Sequence, residues 1–339
     1  MYYKIIILPI ILYIINVSLR KFNFLIDDPT ESYHKLEKKF GTPLSGGIFI
    51  FSCILITSFF YNNNIFNINI IINFLLILIL GIFSDIKKNF SPKLRIIIQL
   101  ILIIIFVYSN DLLIFKTNID LIDLFLNEKI FAYCFTIFCI ITLLNGYNFM
   151  DGVNVLVSGY ILIILFTLNL ILHKIGTDMQ VVNLIMIYLF FFIFNFFGKC
   201  FLGDNGVYLS SFLVSFLIIK IINENNSISP ILAVTLLWYP AFENLFSILR
   251  RIKNKKTTYY PDKFHLHSLI LRKLQFINKS NNNILNNTLS GSIILVFLIP
   301  NFVIAYFFYD KSYYLFSSVI VYLSFYLVLY NYLLKVIKK

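Results

Sequence analysis

Three carboxylates stand out because apolar sequence surrounds them: Asp85 in "GIFSDIKKNF", Asp151 in "NGYNFMDGVN" and Asp204 in "FLGDNG". Each lies at the end of a long apolar run, where a charge is costly unless it is paired, hydrated or bound to a cation. A lone Asp in such a place is commonly a helix cap. Three of them, with Gly or Asn close by, point to a shared task. Oxygen groups meeting at one depth suit a hard cation such as magnesium, which takes one or two protein ligands and completes its shell with water and phosphate oxygens. The chemistry this implies is phosphate chemistry, with neighbouring Lys, Arg and His available to hold the anion.

Spacing refines the picture. Asn148 and Asp151 are three apart and share a helix face. Asn145 and Asn154 are nine apart, about half a turn out of phase, so all four cannot aim at one point from a regular helix. Gly146 and Gly152 suggest either a local distortion or that only the middle pair reaches the site. In "FLGDNG", glycines on both sides of Asp204 let backbone or ligand approach closely. His265 and His267 follow Pro261 in a basic loop; an extended backbone there would point both rings the same way, ready to hydrogen-bond a diphosphate.

The elements that must position these residues are membrane helices. The chain has 339 residues, is 59% apolar and only 13% charged, with a mean hydropathy of +0.85, against about 25% charged in a soluble domain. Apolar runs long enough to cross a bilayer, which takes roughly 20 residues, follow one another with short breaks. The expected architecture is all-α: a polytopic integral membrane protein of about eleven spans over 3–19, 43–60, 65–84, 93–109, 130–147, 153–173, 180–197, 206–222, 230–249, 287–309 and 312–334. Residues 1–339 read as a single transmembrane domain without internal repeat, carrying a long loop at about 250–286. The N-terminal run has no small-residue cleavage signal and reads as a retained span.

Charge gives the orientation. Of the 28 Lys and Arg, 22 fall in one alternating set of breaks and six in the other. The positive-inside rule makes the first set cytoplasmic, which puts the N-terminus outside, the C-terminus inside, and the three carboxylates and both histidines on the cytoplasmic face. The net charge of +12 is therefore mostly a topology signal, suited to lipid headgroups and phosphates rather than to nucleic acid. The outer acids Asp111, Asp120, Asp123 and Glu128 read as an ordinary solvated segment. Cys53, Cys134, Cys139 and Cys200 lie in apolar runs, with neither zinc nor disulfide spacing, and read as buried hydrophobes.

Five segments in order resemble the polyprenyl-phosphate N-acetylhexosamine-1-phosphate transferases, over about residues 28 to 270. "GTPLSGG" is similar to the family's Pro-x-x-Gly-Gly, "GIFSDIKKNFSPKLR" to its Gly-x-x-Asp-Asp, and "NGYNFMDGVN" to its Asn-x-x-Asn-x-x-Asp-Gly-x-Asp. "FLGDNG" matches Phe-x-Gly-Asp-x-Gly, and "HLHS" resembles His-x-His-His. The resemblance implies a bacterial multi-pass enzyme of the cytoplasmic membrane. It would transfer a sugar 1-phosphate from a UDP-N-acetylhexosamine to polyprenyl (undecaprenyl) phosphate, releasing UMP and starting a cell-envelope glycan. By position, Asp204 and Asn148 would hold magnesium, and Asp85 would position or deprotonate the lipid phosphate. Asp151 would support the nucleotide or the metal, and His265 and His267 would contact phosphate. Asn145, Asn154 and, as weaker candidates, Arg250 and Arg251 would be further substrate contacts. The membrane is the working environment, an apolar groove would take the polyprenyl tail, and a homodimer is left open.

Three positions depart from the family pattern: Ser84 in place of the first Asp of its pair, Asn154 in place of the later Asp, and Ser268 in place of the last His. Each removes a charge or a titratable group while keeping hydrogen-bonding capacity. Two alternatives are a catalytically weak member of the same family and a cation-coupled transporter. The second would place its ionisable groups near the midplane of repeated halves.

Overall fold

The computed structural model describes residues 3–27, 41–60, 65–87, 90–177, 181–253, 264–278 and 283–338. Most of "DDPTESYHK" and the segment holding Pro261 lie outside these residues. The described chain forms the helices α1 (Tyr3–Lys21), α2 (Gly46–Phe60), α3 (Ile68–Ile86), α4 (Pro92–Ser109), α5 (Asp120–Leu126), α6 (Lys129–Met150) and α7 (Leu156–Lys174). These are followed by α8 (Val182–Phe196), α9 (Gly203–Glu224), α10 (Ile231–Lys253), α11 (Leu266–Ile277), α12 (Asn283–Phe307) and α13 (Ser312–Lys338). Backbone pairing of strand type among the described residues amounts to two isolated bridges, Ile26 with Pro43 and Leu44 with Phe201.

Eight of these helices are long and apolar enough to cross a membrane: α3, α4, α6, α7, α9, α10, α12 and α13. The shorter apolar helices are α2 and α8, of 15 residues each. Fifteen helical residues rise about 22 Å, short of a hydrocarbon core of about 30 Å. Each is continued at one end by coil, 41–45 before α2 and 197–202 after α8, and the two coils pair with each other. Phe201 N–H donates to Pro43 O at 2.9 Å and Gly46 N–H to Phe201 O at 3.2 Å. Irregular backbone at such a place is tolerated where protein buries it or it lines a cavity, and this coil does both.

α9 is the axis of the bundle, with 89% of its spanning window buried, against 22% for α4 and α13 at the periphery. Small residues on its surface, Gly206, Ser210, Ser211 and Ser215, are buried and let neighbours approach closely. α3 approaches closely, and a Cβ on Gly81 would run into the Asn205 backbone. Interhelical polar contacts reinforce the packing: Tyr188 donates to Ser210 Oγ at 2.7 Å, and Asn301 Nδ2 to Thr235 O at 2.9 Å.

Two short helices lie outside the eleven expected runs. α5 belongs to the 110–128 segment, where Asp123 accepts from Thr117 N–H at 2.6 Å and Asn118 N–H at 3.0 Å. α11 occupies the loop expected at about 250–286 and buries Leu266, Leu269, Ile270 and Leu271 against α12 and α13.

Candidate active site

The end of α3, the start of α4, the end of α6 and the start of α9 converge on Asp204. Its Oδ1 accepts from Asn148 Nδ2 at 2.8 Å, and its Oδ2 from the Ser84 hydroxyl at 2.5 Å and the Tyr208 hydroxyl at 3.2 Å. Arg95 Nη1 stands 3.4 Å from the same Oδ2. The Asp204 side chain keeps 24% of its surface exposed, enough to meet a ligand.

Asp85 plays a different part. Its Oδ1 accepts from Asp204 N–H at 2.9 Å, and its Oδ2 from Asn205 N–H at 3.0 Å and Asn205 Nδ2 at 2.5 Å. The two backbone amides are among the unsatisfied donors of the first turn of α9, where the helix dipole favours a negative charge. A carboxylate from α3 thus caps α9, with both oxygens engaged in placing Asp204. Asn205 extends the clasp: its Oδ1 accepts from Gly47 N–H at 2.8 Å and its Nδ2 donates to Leu44 O at 3.1 Å. "GTPLSGG" therefore serves the site through its backbone.

The α6–α7 break carries the remaining residues of "NGYNFMDGVN". Asp151 is the C-cap of α6. Part of its surface opens on a pocket of about 230 Å³ that also involves Asp27, Leu44, Asn195, Phe201 and Gly203. Even so, burial, and then the charges of Asp204, Asp85 and Asp27, hold its carboxyl well above the usual carboxylate range. Val155 adopts a left-handed φ of 62°, rare for a β-branched residue, and its N–H is held by Asn195 Oδ1 at 2.6 Å. Asn154 is tied to α12: its N–H donates to Asn287 Oδ1 at 2.6 Å and its Nδ2 to Thr288 Oγ1 at 3.3 Å. Asn145 Nδ2 donates to Ile141 O of its own helix at 2.9 Å. The expectation that the four polar residues of this motif cannot aim at one point from a regular helix agrees with this geometry; of the two asparagines in α6, Asn148 is the one bonded to Asp204.

The histidines differ from expectation. They stand at a helix N-terminus rather than on an extended loop: His265 is the N-cap of α11 and His267 lies in its first turn. The rings still face the same way, stacked 5.5 Å apart and 3° from parallel. His265 stacks on Phe149 at 5.3 Å, and a Cβ on Gly152 would run into His267 Nε2. Both rings therefore adjoin the turn that holds Asn148 and Asp151. Burial, then the neighbouring His265, pushes His267 down to about 3. Arg251 is buried with its guanidinium over the Phe149 ring at 5.4 Å. Arg250 donates to Tyr330 Oη of α13 at 2.9 Å and lies over the rings of Phe246 and Tyr330.

Residues 67–222 match the model of glycosyl transferase family 4. The match runs from the cap of α3 to the end of α9 and so contains Asp85, Arg95, Asn148, Asp151 and Asp204. Among curated proteins, this chain is 28% identical over 207 residues to the probable undecaprenyl-phosphate N-acetylglucosaminyl 1-phosphate transferase of Bacillus subtilis, covering 58% of this chain and 56% of that one. It is 25% identical to the undecaprenyl-phosphate alpha-N-acetylglucosaminyl 1-phosphate transferase of Salmonella typhi, over 56% and 54% of the two chains. The Escherichia coli K12 protein of that name is 27% identical over 42% and 41%. The matched part spans just over half the length of the first two relatives.

Several site residues escaped the sequence reading as ligands or supports. Arg95, Asn205 and Tyr208 lay inside or next to quoted motifs but carried no signal of their own. Tyr208 follows Asp204 by one helical turn, which places both on one face. The cluster also shows what it can hold. Among the described residues, no three His, Cys, Asp or Glu side chains meet closely enough to hold a metal by themselves. A carboxylate beside an amide, with further carboxylates near, fits a hard divalent ion that draws the rest of its shell from phosphate and water.

Proposed function

We propose that this protein transfers N-acetylglucosamine 1-phosphate, or a closely related N-acetylhexosamine 1-phosphate, from its UDP-sugar to undecaprenyl phosphate. An oxygen of the lipid phosphate forms a bond to the sugar-bearing phosphorus as the diphosphate bond breaks and UMP leaves. The observation that carries this reading is the convergence of Asn148, Ser84 and Arg95 on the Asp204 carboxylate at one end of the bundle. The names of the relatives support the lipid acceptor and the transferred group; the UDP donor is part of the proposal.

Asp204 and Asn148 would hold a magnesium ion, which would supply charge neutralisation for the diphosphate. The protein's own groups do the positioning, which is most of what phosphoryl transfer requires. Asp85 and Asn205 set the start of α9 and thereby Asp204. Arg95 offers a planar guanidinium to phosphate oxygens, and His265 and His267 border the site from α11. The site faces the cytoplasm, where the basic residues are concentrated, so that a soluble donor and a lipid acceptor can meet. A coupled transporter would gather its ionisable groups near the midplane, whereas these lie at helix ends.

The test is release of UMP from a panel of UDP-sugars with undecaprenyl phosphate and magnesium, scored with radiolabelled sugar entering the lipid phase. UDP-N-acetylglucosamine is expected to be the best donor, and chelation to stop the reaction. Folded protein that releases no UMP from any donor, beside an active relative, rules the reading out.

A further inference from the structure

A buried acid stands behind the histidines, and none of the motifs contains it. Glu243 lies in α10 with no exposed surface. Its Oε2 is 3.0 Å from His265 Nδ1. Its Oε1 accepts from the Tyr326 hydroxyl at 2.8 Å and from Leu266 N–H at 3.2 Å. Leu266 is the first residue of α11, so Glu243 caps that helix from α10 much as Asp85 caps α9 from α3. A charge this deep is costly unless donors surround it, and three do. Packing and capping alone do not call for it, because a neutral amide could also accept from the helix N-terminus and from Tyr326. What the carboxylate adds is a negative partner for an imidazole.

We propose that Glu243 is a positioning residue for the transfer site, holding His265 with its proton on Nδ1 so that Nε2 is the ring nitrogen offered to substrate phosphate. This rests on the transferase reading above. The geometry leaves the ring little choice. His265 is fixed on one edge by Glu243, and its faces meet Phe149 at 5.3 Å and His267 at 5.5 Å. Phe149 directly follows Asn148, so Glu243 registers α10 and α11 against the residue bonded to Asp204. A carboxylate on one ring nitrogen sets which nitrogen is left for the ligand, and the wrong tautomer costs catalysis heavily even when the fold is intact.

The experiment has one arm that needs no turnover. The chain contains four histidines, so nitrogen-15 histidine spectra of the full-length protein in nanodiscs can be assigned by single substitutions. His265 is expected to carry its proton on Nδ1, and Glu243→Gln to lose that preference. An unprotonated Nδ1 in the unmodified protein overturns the proposal, whether or not the protein turns over UDP-N-acetylglucosamine. In the second arm, Glu243→Gln is expected to lower kcat about 10²-fold, the scale of one acid–base contribution, with little change in the donor KM. In a His265→Ala background the same change is expected to have no further effect. An equal loss in both backgrounds means that Glu243 acts on the fold and not through His265, and an unchanged kcat in the single variant is equally fatal. If Glu243→Gln does not fold, Tyr326→Phe keeps the charge and removes one of its donors. It is then expected to retain the Nδ1 proton, and its loss would overturn the proposal.

Discussion

At the scale of residues, Asp204 and Asp85 are adjacent acids with separable duties. Asp204 is partly exposed and accepts mainly from side chains, so Asp204→Asn is expected to cut UMP release by at least about 10²-fold, as loss of a transition-state electrostatic contact does, with little change in melting temperature. Asp85 accepts backbone donors with both oxygens. In Asp85→Asn, an amide NH₂ would face an N–H, leaving a buried donor unsatisfied at about 1–3 kcal/mol. That variant should lose stability and turnover together; equal melting temperatures for the two would show the duties to be shared. Ser84 gives a third handle, since its hydroxyl meets Asp204 Oδ2 at 2.5 Å. Ser84→Asp would oppose two carboxylates, which cannot both ionise cheaply unless a cation lies between them. It should melt lower than the unmodified protein in chelator and gain more from magnesium, because a ligand stabilises whatever state binds it. His267 sets an acid limit. An unperturbed imidazole titrates near 6.5 but this one is held down to about 3. Below about 6.5 the unfolded chain therefore takes up a proton that the folded chain refuses, and stability falls as pH drops towards about 3. Melting curves from pH 7.5 to 5 should fall more steeply for the unmodified protein than for His267→Asn, and parallel curves would contradict this. Asp85, Asp151 and Asp204 were legible because acids interrupt apolar runs there. Glu243 was not, because "LLWYPAFENLFSIL" reads as one greasy span with a tolerated polar residue.

At the scale of elements, the site depends on how closely α3 can approach α9. Gly81 permits that approach, since a side chain there would meet the Asn205 backbone, which cannot swing aside as a flexible side chain could. Gly81→Ala is expected to push the helices apart, costing about 1–3 kcal/mol as overpacking does, and to separate Asp85 from the amides it caps. Lower thermal stability accompanied by a loss of UMP release is the expected outcome; a stable and fully active variant would show that the α3–α9 contact yields. The long helices were legible from apolar runs because each contributes enough consecutive residues to be seen. α11 was not. Its 12 residues begin within a His-x-His that alternates like an extended segment, and its buried stripe of Leu266, Leu269, Ile270 and Leu271 matters only once α12 and α13 are beside it. Nor could composition reveal that α2 and α8 stop short, since coil 41–45 and coil 197–202 are held by each other's backbone, a non-local pairing with no local signature.

At the scale of the whole molecule, the bundle has two polar ends. One holds the Asp204 cluster. At the other, Asn223 Nδ2 donates to Leu113 O at 2.7 Å, Ser229 N–H to Tyr309 O at 2.9 Å, and Asn118 Nδ2 to Ser312 Oγ at 3.0 Å. Lys174 rests over the rings of Tyr306 and Tyr309 there, at 5.4 and 4.8 Å, in the manner of a cation anchored among aromatic side chains at a membrane interface. In the sequence, by contrast, 22 of the 28 Lys and Arg fall in the set of breaks that also holds Asp85, Asp151 and Asp204. The proposed orientation puts that end in the cytoplasm, and cysteine labelling can check it. In a background with the four native cysteines replaced, Lys311→Cys should react with a membrane-impermeant maleimide on intact cells. Lys335→Cys, at the far end of α13, should react only after the membrane is opened. Both positions are exposed, and a single helix connects them, so their labelling must be opposite if α13 crosses the bilayer. The reverse pattern would turn the Asp204 cluster away from cytosolic nucleotides and remove the proposed donor from its reach.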